Sequence, residues 1–367
     1  MARTLPVILL SLLFLTAQEI QTHAADVRLS EHKLCAVELS GEIEPGDLVK
    51  LKGLAEQLDL IYNWETSGPE SNEFDERLCL NSPGGSYAEG RDIMAFVHEN
   101  GIGTYIPAGS RCFSACAFIF MSGYSRGREY HFPSRWMHPK GFLGFHAPYF
   151  KLPTEQTYSN EDVEDYARLA TLIVSDLIQF GRYWSREADH PGLPASLIQE
   201  LLAAGPTEMV LVDTVEEIAL WGIKLSEIRD ASNFTNQDYV QACLNFLAWS
   251  KDRRSSGYQS ATEPFGTFVG SAGYGEPLKY NVINVNYYRA SLNRWAQTCY
   301  IEYSEEPLGG YRICSVDYDG SEQGDCIGNH SLGAPRYVPW YWGLEPDYPI
   351  SKLGNLIPRP RPFTSSN

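Results

Sequence analysis

The amino-acid sequence predicts an α/β protein that carries a separate, smaller C-terminal unit. Residues 26–225 alternate short apolar segments with amphipathic stretches, which is typical of βα units around a largely parallel sheet. Residues 226–367 are instead rich in Tyr, Trp, Asn and Gly and hold four cysteines, which favours a partly β, disulfide-containing unit. The chain has 367 residues, of which 43% are hydrophobic, so it is long enough for both cores.

Residues 1–25 have the pattern of a secretory signal peptide. Arg3 precedes an apolar run over residues 5–15, and the segment ends in small residues, so that cleavage is expected after Ala24 or Ala25. An uncleaved anchor is the alternative, but the run is shorter than the roughly 20 apolar residues that span a bilayer. We therefore expect a periplasmic or secreted protein without a transmembrane anchor after cleavage.

The net charge of −17 argues against nucleic acid as a partner, because phosphate binding needs a basic surface. Most of the negative charge lies in the first unit, whose net charge is −14. This favours a polypeptide substrate or protein partner that is basic or unfolded, although the substrate is not specified further.

The cysteines predict disulfide bonds, since an even number of them follows the signal peptide in a chain expected to be exported. No Cys-x-x-Cys or His-Glu-x-x-His motif occurs, so we predict no metal, and no other cofactor motif is visible. The candidates are Cys35, Cys79, Cys112, Cys116, Cys243, Cys299, Cys314 and Cys326.

Two pairings can be weighed at this point. Cys35 and Cys79 each begin a strand, and these strands are expected to be neighbours, which favours a bridge. A bridge between Cys112 and Cys116 needs non-ideal helical geometry and competes with two buried free thiols. The four C-terminal cysteines allow three pairings.

The elements of the first unit follow from apolar periodicity and from the Gly and Pro residues between them. The strand that begins at Cys35 ends before Gly41, and Pro45-Gly46-Asp47 starts a helix. We predict strands at residues 35–40, 78–81, 104–107 and 143–145, and helices at residues 47–60, 87–99, 114–121 and 159–184. Apolar residues at helical spacing in the last helix predict one face buried in the core.

Two connections carry residue types suited to chemistry. Ser82-Pro83-Gly84-Gly85 lies between a strand and a helix, where glycines allow a sharp turn that presents N–H groups. Ser114 begins a helix of small residues, so that its hydroxyl lies beside the Ala115 N–H, as a nucleophile requires. The alternatives are an ordinary tight turn and a helix N-cap.

A serine nucleophile needs a base, and His131, His138 and His146 follow in the sequence. His146 is the best placed, because a short apolar strand precedes it and Ala147-Pro148 ends that strand. His138 is the alternative and also fits a solvent-facing loop.

An ordered set of motifs resembles the proteolytic subunit of the Clp protease. In chain order the set comprises Leu80-Asn81-Ser82-Pro83-Gly84-Gly85, Ser114 on a small-residue helix, Gly123, Phe132-Pro133-Ser134-Arg135 and His146-x-Pro148. The resemblance covers about residues 34–225 and implies a Clp/crotonase-like fold of stacked βα units. It further implies that Ser114 is the nucleophile, His146 the general base, and the N–H groups of Gly85 and Ala115 the oxyanion hole.

The sequence departs from this family at the third catalytic position, an Asp. Counting back from the matching segment at residues 217–223 places Val210 there. Glu208 lies on the same face of a strand and Asp213 on the opposite face, so we select Glu208 as the candidate. A Ser-His dyad and an inactive protein remain alternatives.

Two further features concern regulation and assembly. Cys112 and Cys116 bracket Ser114 without a counterpart in the cytoplasmic protease, and a bridge between them would lock the nucleophile loop. In the related protease the region of the helix at residues 159–184 helps subunits associate, which makes a homo-oligomer an option here.

The sequence thus predicts an exported serine hydrolase, and a peptidase in particular. A catalytically inactive binding or scaffold protein is the alternative, with the aromatic C-terminal unit as its recognition surface. A crotonase-type enzyme acting on acyl-thioesters is disfavoured by export. A Ser-Lys dyad using Lys140 or Lys151 has no supporting pattern.

Overall fold

The computed structural model describes much of the chain from residue 24 onwards. The described residues are 24–58, 60, 77–126, 131–147, 157–185, 192–205, 208–228, 235–255, 266–273, 279–289, 292–304, 310–317 and 336–355. Residues 1–23, which hold most of the predicted signal peptide, and Pro148, Lys151 and Cys326 lie outside these ranges.

The elements of the N-terminal unit alternate strands with helices. Its strands are β1 (Asp26–Leu29), β2 (Val37–Ser40), β3 (Arg77–Asn81), β4 (Gly103–Ile106), β5 (Arg111–Phe113), β6 (Tyr124–Arg126), β7 (His131–Pro133), β8 (Arg135–Met137), β9 (Phe142–Phe145), β10 (Val210–Leu211) and β11 (Lys224–Leu225). Its helices are α1 (Asp47–Gln57), α2 (Tyr87–Glu99), α3 (Ala115–Met121), α4 (Asn160–Ser185), α5 (Ala195–Ala203) and α6 (Val215–Leu220).

A six-stranded sheet in the order β1-β2-β3-β4-β8-β11 forms the centre of this unit. Within this sheet the five strands β2, β3, β4, β8 and β11 run parallel to one another. β1 lies at the edge and pairs with β2 in the antiparallel direction. The predicted α/β class with a largely parallel sheet is therefore confirmed. Leu39, Leu80 and Ile106 of this sheet are fully buried in one core, together with residues of α2 and α3.

A second, three-stranded sheet in the order β10-β9-β5 lies beside the first. β5 runs parallel to β9, with Phe113 opposite Gly144, whereas β10 is antiparallel to β9. An isolated bridge between Ser82 and Cys112 connects β5 to the end of β3. This small sheet positions the candidate site, because Ser114 and His146 directly follow β5 and β9.

Helix α4 lies where the sequence predicts it, but its buried face is shorter than expected. Leu177 is buried, whereas Val163 and Leu169 are 55% and 43% exposed. The C-terminal part of α4 packs near α2, where Arg91 Nη1 lies 3.9 Å from Asp176 Oδ2. The prediction of core packing along the whole helix is wrong, since only these later turns reach the core.

The C-terminal residues form helix α7 (Asn236–Trp249) and a five-stranded antiparallel sheet. The sheet comprises β12 (Gly266–Gly273), β13 (Lys279–Arg289), β14 (Leu292–Ser304), β15 (Gly310–Asp317) and β16 (Arg336–Pro339), and two 3-10 helices follow at Trp340–Gly343 and Ile350–Asn355. Phe246 of α7 packs with Ile301 and Ile313 in a second core. Trp249 of α7 packs in the first core instead.

Three disulfide bonds link described cysteines: Cys35–Cys79, Cys112–Cys116 and Cys243–Cys299. The predicted bridge between Cys35 and Cys79 is confirmed. Cys112 and Cys116 form a bridge rather than free thiols, because Cys112 lies on strand β5 and Cys116 on helix α3, so the helical spacing does not apply. Within the described parts of the chain, none of the helices combines the length and apolar character needed to span a bilayer.

Candidate active site

The turn between β3 and α2 requires glycine at two consecutive positions. Gly84 has φ +103° and Gly85 has φ +144°, both in the region that other residues rarely adopt. A Cβ atom on Gly84 would lie 2.6 Å from Ser114 Cβ, and one on Gly85 would lie 2.6 Å from Ile43 N. The glycines thus allow the turn to lie directly against the backbone of Ile43 and the side chain of Ser114.

Ser82 fixes the shape of this turn, a role that the sequence analysis did not identify. Its buried hydroxyl accepts a hydrogen bond from the Gly84 N–H at 3.1 Å. Its backbone joins the turn to β5, since the Ser82 N–H donates to Arg111 O at 2.7 Å and the Phe113 N–H donates to Ser82 O at 3.1 Å. A serine two residues before a glycine is a turn signal that points to this role.

Ile43 supports the turn from its other side. The Ile43 N–H donates to Gly84 O at 2.8 Å, and the Ser86 N–H donates to Ile43 O at 2.8 Å. Gly85 lies between these two bonds, and its N–H donates no backbone hydrogen bond among the described residues. That N–H is therefore available to a ligand oxygen.

Ser114 occupies a sharp connection between β5 and α3. Its backbone has φ 56° and ψ −124°, an unfavourable conformation for a residue with a side chain. The Ser114 N–H donates to Gly144 O at 3.0 Å, and the half-buried side chain makes no capping hydrogen bond to the helix. Ser114 is thus the N-cap residue of α3 by position, but its hydroxyl does not cap the helix.

The Cys112–Cys116 disulfide encloses Ser114. Both cysteines are fully buried, and they fix the residues two positions before and two positions after the serine. The strained backbone of Ser114 persists only if its surroundings hold it, and this bridge is one such constraint. Ala115 is the first residue of α3, a position whose N–H has no acceptor within a helix.

His146 directly follows β9, the strand that pairs in parallel with β5, and Ser114 directly follows β5. The register ends with Phe113 opposite Gly144, so Ser114 and His146 lie just beyond the ends of two paired strands. The half-buried imidazole has Nδ1 3.0 Å from Ala147 O, and a carbonyl can only accept, so Nδ1 carries the proton. This tautomer leaves Nε2 as the basic nitrogen.

Glu208, the candidate third residue, makes its hydrogen bond elsewhere. Its carboxylate accepts the Gly205 N–H at 3.0 Å within its own turn, and the residue is exposed. β10 pairs Val210 with Phe145 and Leu211 with Gly144, so Glu208 lies two residues before the paired segment. In its present hydrogen bond, Glu208 does not orient the imidazole.

The other candidate residues lie away from Ser114 and His146. His138 follows β8 of the larger sheet, accepts the Lys140 N–H at 2.9 Å through Nδ1, and has Nε2 3.7 Å from Glu227 Oε2. Burial lowers the pKa of His138, and Glu227 opposes that shift. His131 lies on β7, and Asp213 is exposed.

One cluster has the residue types of a metal site. Ligand atoms of His32, Cys35 and Cys79 lie within 4.8 Å of one another. Both sulfur atoms belong to a disulfide, and metals bind thiolates, so the cluster as formed offers one imidazole ligand only.

A small pocket of about 10 Å³ adjoins the site between α2, α3 and α4. It is lined by Tyr87, Gly90, Arg91, Met94, Ala115, Phe118 and Leu177. The Tyr87 hydroxyl is buried without a hydrogen-bond partner among the described residues. Burial raises the pKa of Tyr87 to about 12, with a smaller contribution from Asp176, so the phenol is a neutral hydrogen-bond donor.

No family model matches the chain, and no curated protein matches its sequence.

Proposed function

We propose that the protein is an exported serine hydrolase of Clp/crotonase-like fold, and a peptidase in particular, with Ser114 as nucleophile and His146 as general base. The observation that carries the proposal is the strained turn at Ser114, between a strand and a helix and against the Gly84 backbone. The same strand–serine–helix arrangement exposes the nucleophile in α/β-hydrolases. Disulfide bonds support a periplasmic or secreted location.

The proposed reaction is acyl transfer through an ester on Ser114. His146 Nε2 takes the hydroxyl proton as Ser114 Oγ attacks the substrate carbonyl, and the resulting oxyanion accepts hydrogen bonds from the N–H groups of Gly85 and Ala115. His146 then gives the proton to the leaving amine. Water, deprotonated by the same imidazole, attacks the ester and releases the acid and Ser114.

The Ala147 carbonyl supplies the orientation that a third catalytic residue would give. It accepts a hydrogen bond from the Nδ1–H group and so fixes the tautomer of His146. A neutral carbonyl stabilises the imidazolium less than a carboxylate does, so we propose a Ser-His dyad with modest turnover rather than a triad that includes Glu208.

A fluorophosphonate probe tests the nucleophile directly. We expect the folded protein to form one adduct, mapped by peptide mass spectrometry to Ser114, and Ser114→Ala to form none. Ser110→Ala is the matched control, because it removes a hydroxyl four residues away and should leave labelling unchanged. An adduct that persists in Ser114→Ala would contradict the proposal.

A catalytically inactive binding protein is the second candidate. The observation that favours it is the position of Glu208, whose carboxylate is bound in its own turn instead of to His146. Absence of any adduct in the folded wild type, while its thermal unfolding stays cooperative, would select this candidate.

We propose that the small pocket beside Ala115 receives the terminal group of the substrate side chain that precedes the scissile bond. Its walls are largely apolar, and the Tyr87 hydroxyl is a buried donor in need of an acceptor. A site that offers an unsatisfied donor discriminates against a substrate without the matching acceptor. We therefore propose a preference for an uncharged side chain with a terminal oxygen, such as glutamine, over leucine of similar size.

Tyr87→Phe tests this preference, because it removes the donor and keeps the ring. For the wild type we expect kcat/KM to be roughly 10-fold higher for a peptide ester with glutamine at this position than for its leucine counterpart. In Tyr87→Phe the ratio should fall to about one, mainly through the glutamine substrate. An unchanged ratio would show that the hydroxyl plays no part in specificity.

A further inference from the structure

Ala25 is packed into the fold at the junction between the signal peptide and β1. Its side chain is 1% exposed, and its backbone nitrogen lies 3.3 Å from Asp47 Oδ2. Its carbonyl oxygen accepts a hydrogen bond from Lys50 Nζ at 3.1 Å. Both polar groups of the Ala25 backbone thus contact the first turn of α1.

The Asp47 carboxylate is buried, and among the described residues its two oxygens have different hydrogen-bond partners. Its Oδ1 accepts from Lys50 Nζ at 2.8 Å, and its Oδ2 accepts the Glu44 N–H at 2.8 Å and the Ala25 N–H. Asp47 is 0% exposed, whereas the Lys50 side chain is 47% exposed and so remains partly solvated. A buried carboxylate is stabilised by further cationic donors, and Oδ2 faces the Ala25 nitrogen.

The sequence around Ala25 distinguishes two cleavage positions. Signal peptidases require small residues at the last and third-last positions before the cut. Cleavage after Ala24 places Ala24 and Thr22 there, whereas cleavage after Ala25 places His23 at the third-last position. Cleavage after Ala25 would also remove a buried residue from the fold.

We propose that signal cleavage occurs between Ala24 and Ala25 and that the new α-ammonium group of Ala25 forms an ion pair with Asp47. In the hydrolysis, water adds to the Ala24 carbonyl, the peptide C–N bond breaks, and the Ala25 nitrogen leaves with an added proton. The nitrogen that donated a neutral hydrogen bond becomes a cation at the same place, and charge-assisted hydrogen bonds are about twice as strong as neutral ones.

The ion pair also bears on the glycine turn. The Asp47 carboxylate accepts a hydrogen bond from the Glu44 N–H. Ile43, the residue before Glu44, forms backbone hydrogen bonds with Gly84 and Ser86. The mature N-terminus is thereby connected through α1 to the turn that presents Gly85. This inference rests on the proposed export and not on the proposed hydrolysis.

N-terminal sequencing of the exported protein is the first test. We expect the mature chain to begin Ala25-Asp26-Val27. A chain that begins at Asp26 or later would overturn the ion pair while leaving export intact, and retention of Met1 would overturn export itself.

The second test measures the ion pair in chains of equal length. A fusion cleaved by a protease that leaves no extra residue supplies the chain beginning at Ala25, either with a free α-amine or selectively acetylated there. We expect the midpoint of thermal unfolding to be about 1.5–3 °C higher with the free amine, since a charge-assisted hydrogen bond is about twice as strong as a neutral one. In Asp47→Asn the difference should fall below about 1 °C.

Equal unfolding midpoints for the two forms of the wild-type chain would overturn the proposal. If Asp47→Asn fails to fold, the comparison of free and acetylated wild-type chains decides alone. A difference that persists undiminished in Asp47→Asn would assign the effect to another partner of the amine and would also overturn the proposal.

Discussion

Gly84→Ala is expected to lower kcat/KM by roughly 10²–10³-fold, a loss similar to that of an oxyanion-hole donor. The added Cβ would lie 2.6 Å from Ser114 Cβ and 2.8 Å from Phe113 O, both well below contact distance. Relief of these collisions must move the glycine turn away from Ser114. The Gly85 N–H and the Ser114 hydroxyl would then no longer converge on one substrate carbonyl.

Gly46→Ala is the matched control, because Gly46 has φ +104° and open space around the position of its Cβ. Both variants pay a similar backbone cost of about 1–2 kcal/mol for a left-handed alanine, but only one of them contacts the nucleophile. Kinetic assays and thermal unfolding of the two variants separate the effects. Similar kcat/KM values for Gly84→Ala and Gly46→Ala would show that the close approach at Ser114 has no catalytic importance.

The elements with strong local signals could be predicted from the sequence. α2 spans the predicted residues 87–99, since Ser86 caps it by accepting the Glu89 N–H and a regular apolar pattern follows. The glycine turn can equally be predicted from the sequence, because two consecutive glycines after Ser-Pro are typical of a tight turn. Such signals are local, and the structure realises them with little change.

The features that depend on tertiary contacts could not be predicted. β5 and β8 have three residues each, which is too short for a periodic pattern, and they exist because neighbouring strands pair with them. The apolar spacing of α4 predicts a buried face, but the sequence does not show how far along the helix the core extends. Leu177 meets the core and Val163 does not.

The same distinction applies to the candidate site. Residue type and strand position single out Ser114 and His146 in the sequence, and the two residues directly follow the paired strands β5 and β9. Counting along the chain points to Glu208, but it cannot reveal that the Gly205 N–H donates to the Glu208 carboxylate. No sequence pattern points to the Ala147 carbonyl, since every residue has a backbone carbonyl.

Removal of the Cys112–Cys116 disulfide is expected to affect activity more than stability. In the chain-entropy model, the stabilisation of the folded state by a disulfide increases with the logarithm of the number of residues in the loop that it closes. For a separation of four residues the model gives about 2 kcal/mol. The backbone strain at Ser114 amounts to about 1–3 kcal/mol, and without the bridge the turn can relax to release it.

We therefore expect Cys112→Ala combined with Cys116→Ala to lower kcat and the rate of fluorophosphonate labelling by roughly 10–100-fold, because each 1.4 kcal/mol of relaxation is a factor of ten. KM should change little, since the Tyr87 pocket is retained.

Cys243→Ala combined with Cys299→Ala is the matched control with the opposite expectation. This bridge joins α7 to β14 across a separation of 56 residues, so its removal should cost about 4 kcal/mol of stability. At a temperature where the variant stays folded, its labelling rate should equal that of the wild type.

Equal losses of labelling in both double variants would mean that the bridge around Ser114 acts only through global stability. A selective loss in Cys112→Ala/Cys116→Ala would instead make the nucleophile dependent on an oxidising compartment, because a reductant that opens the bridge would release the strained turn.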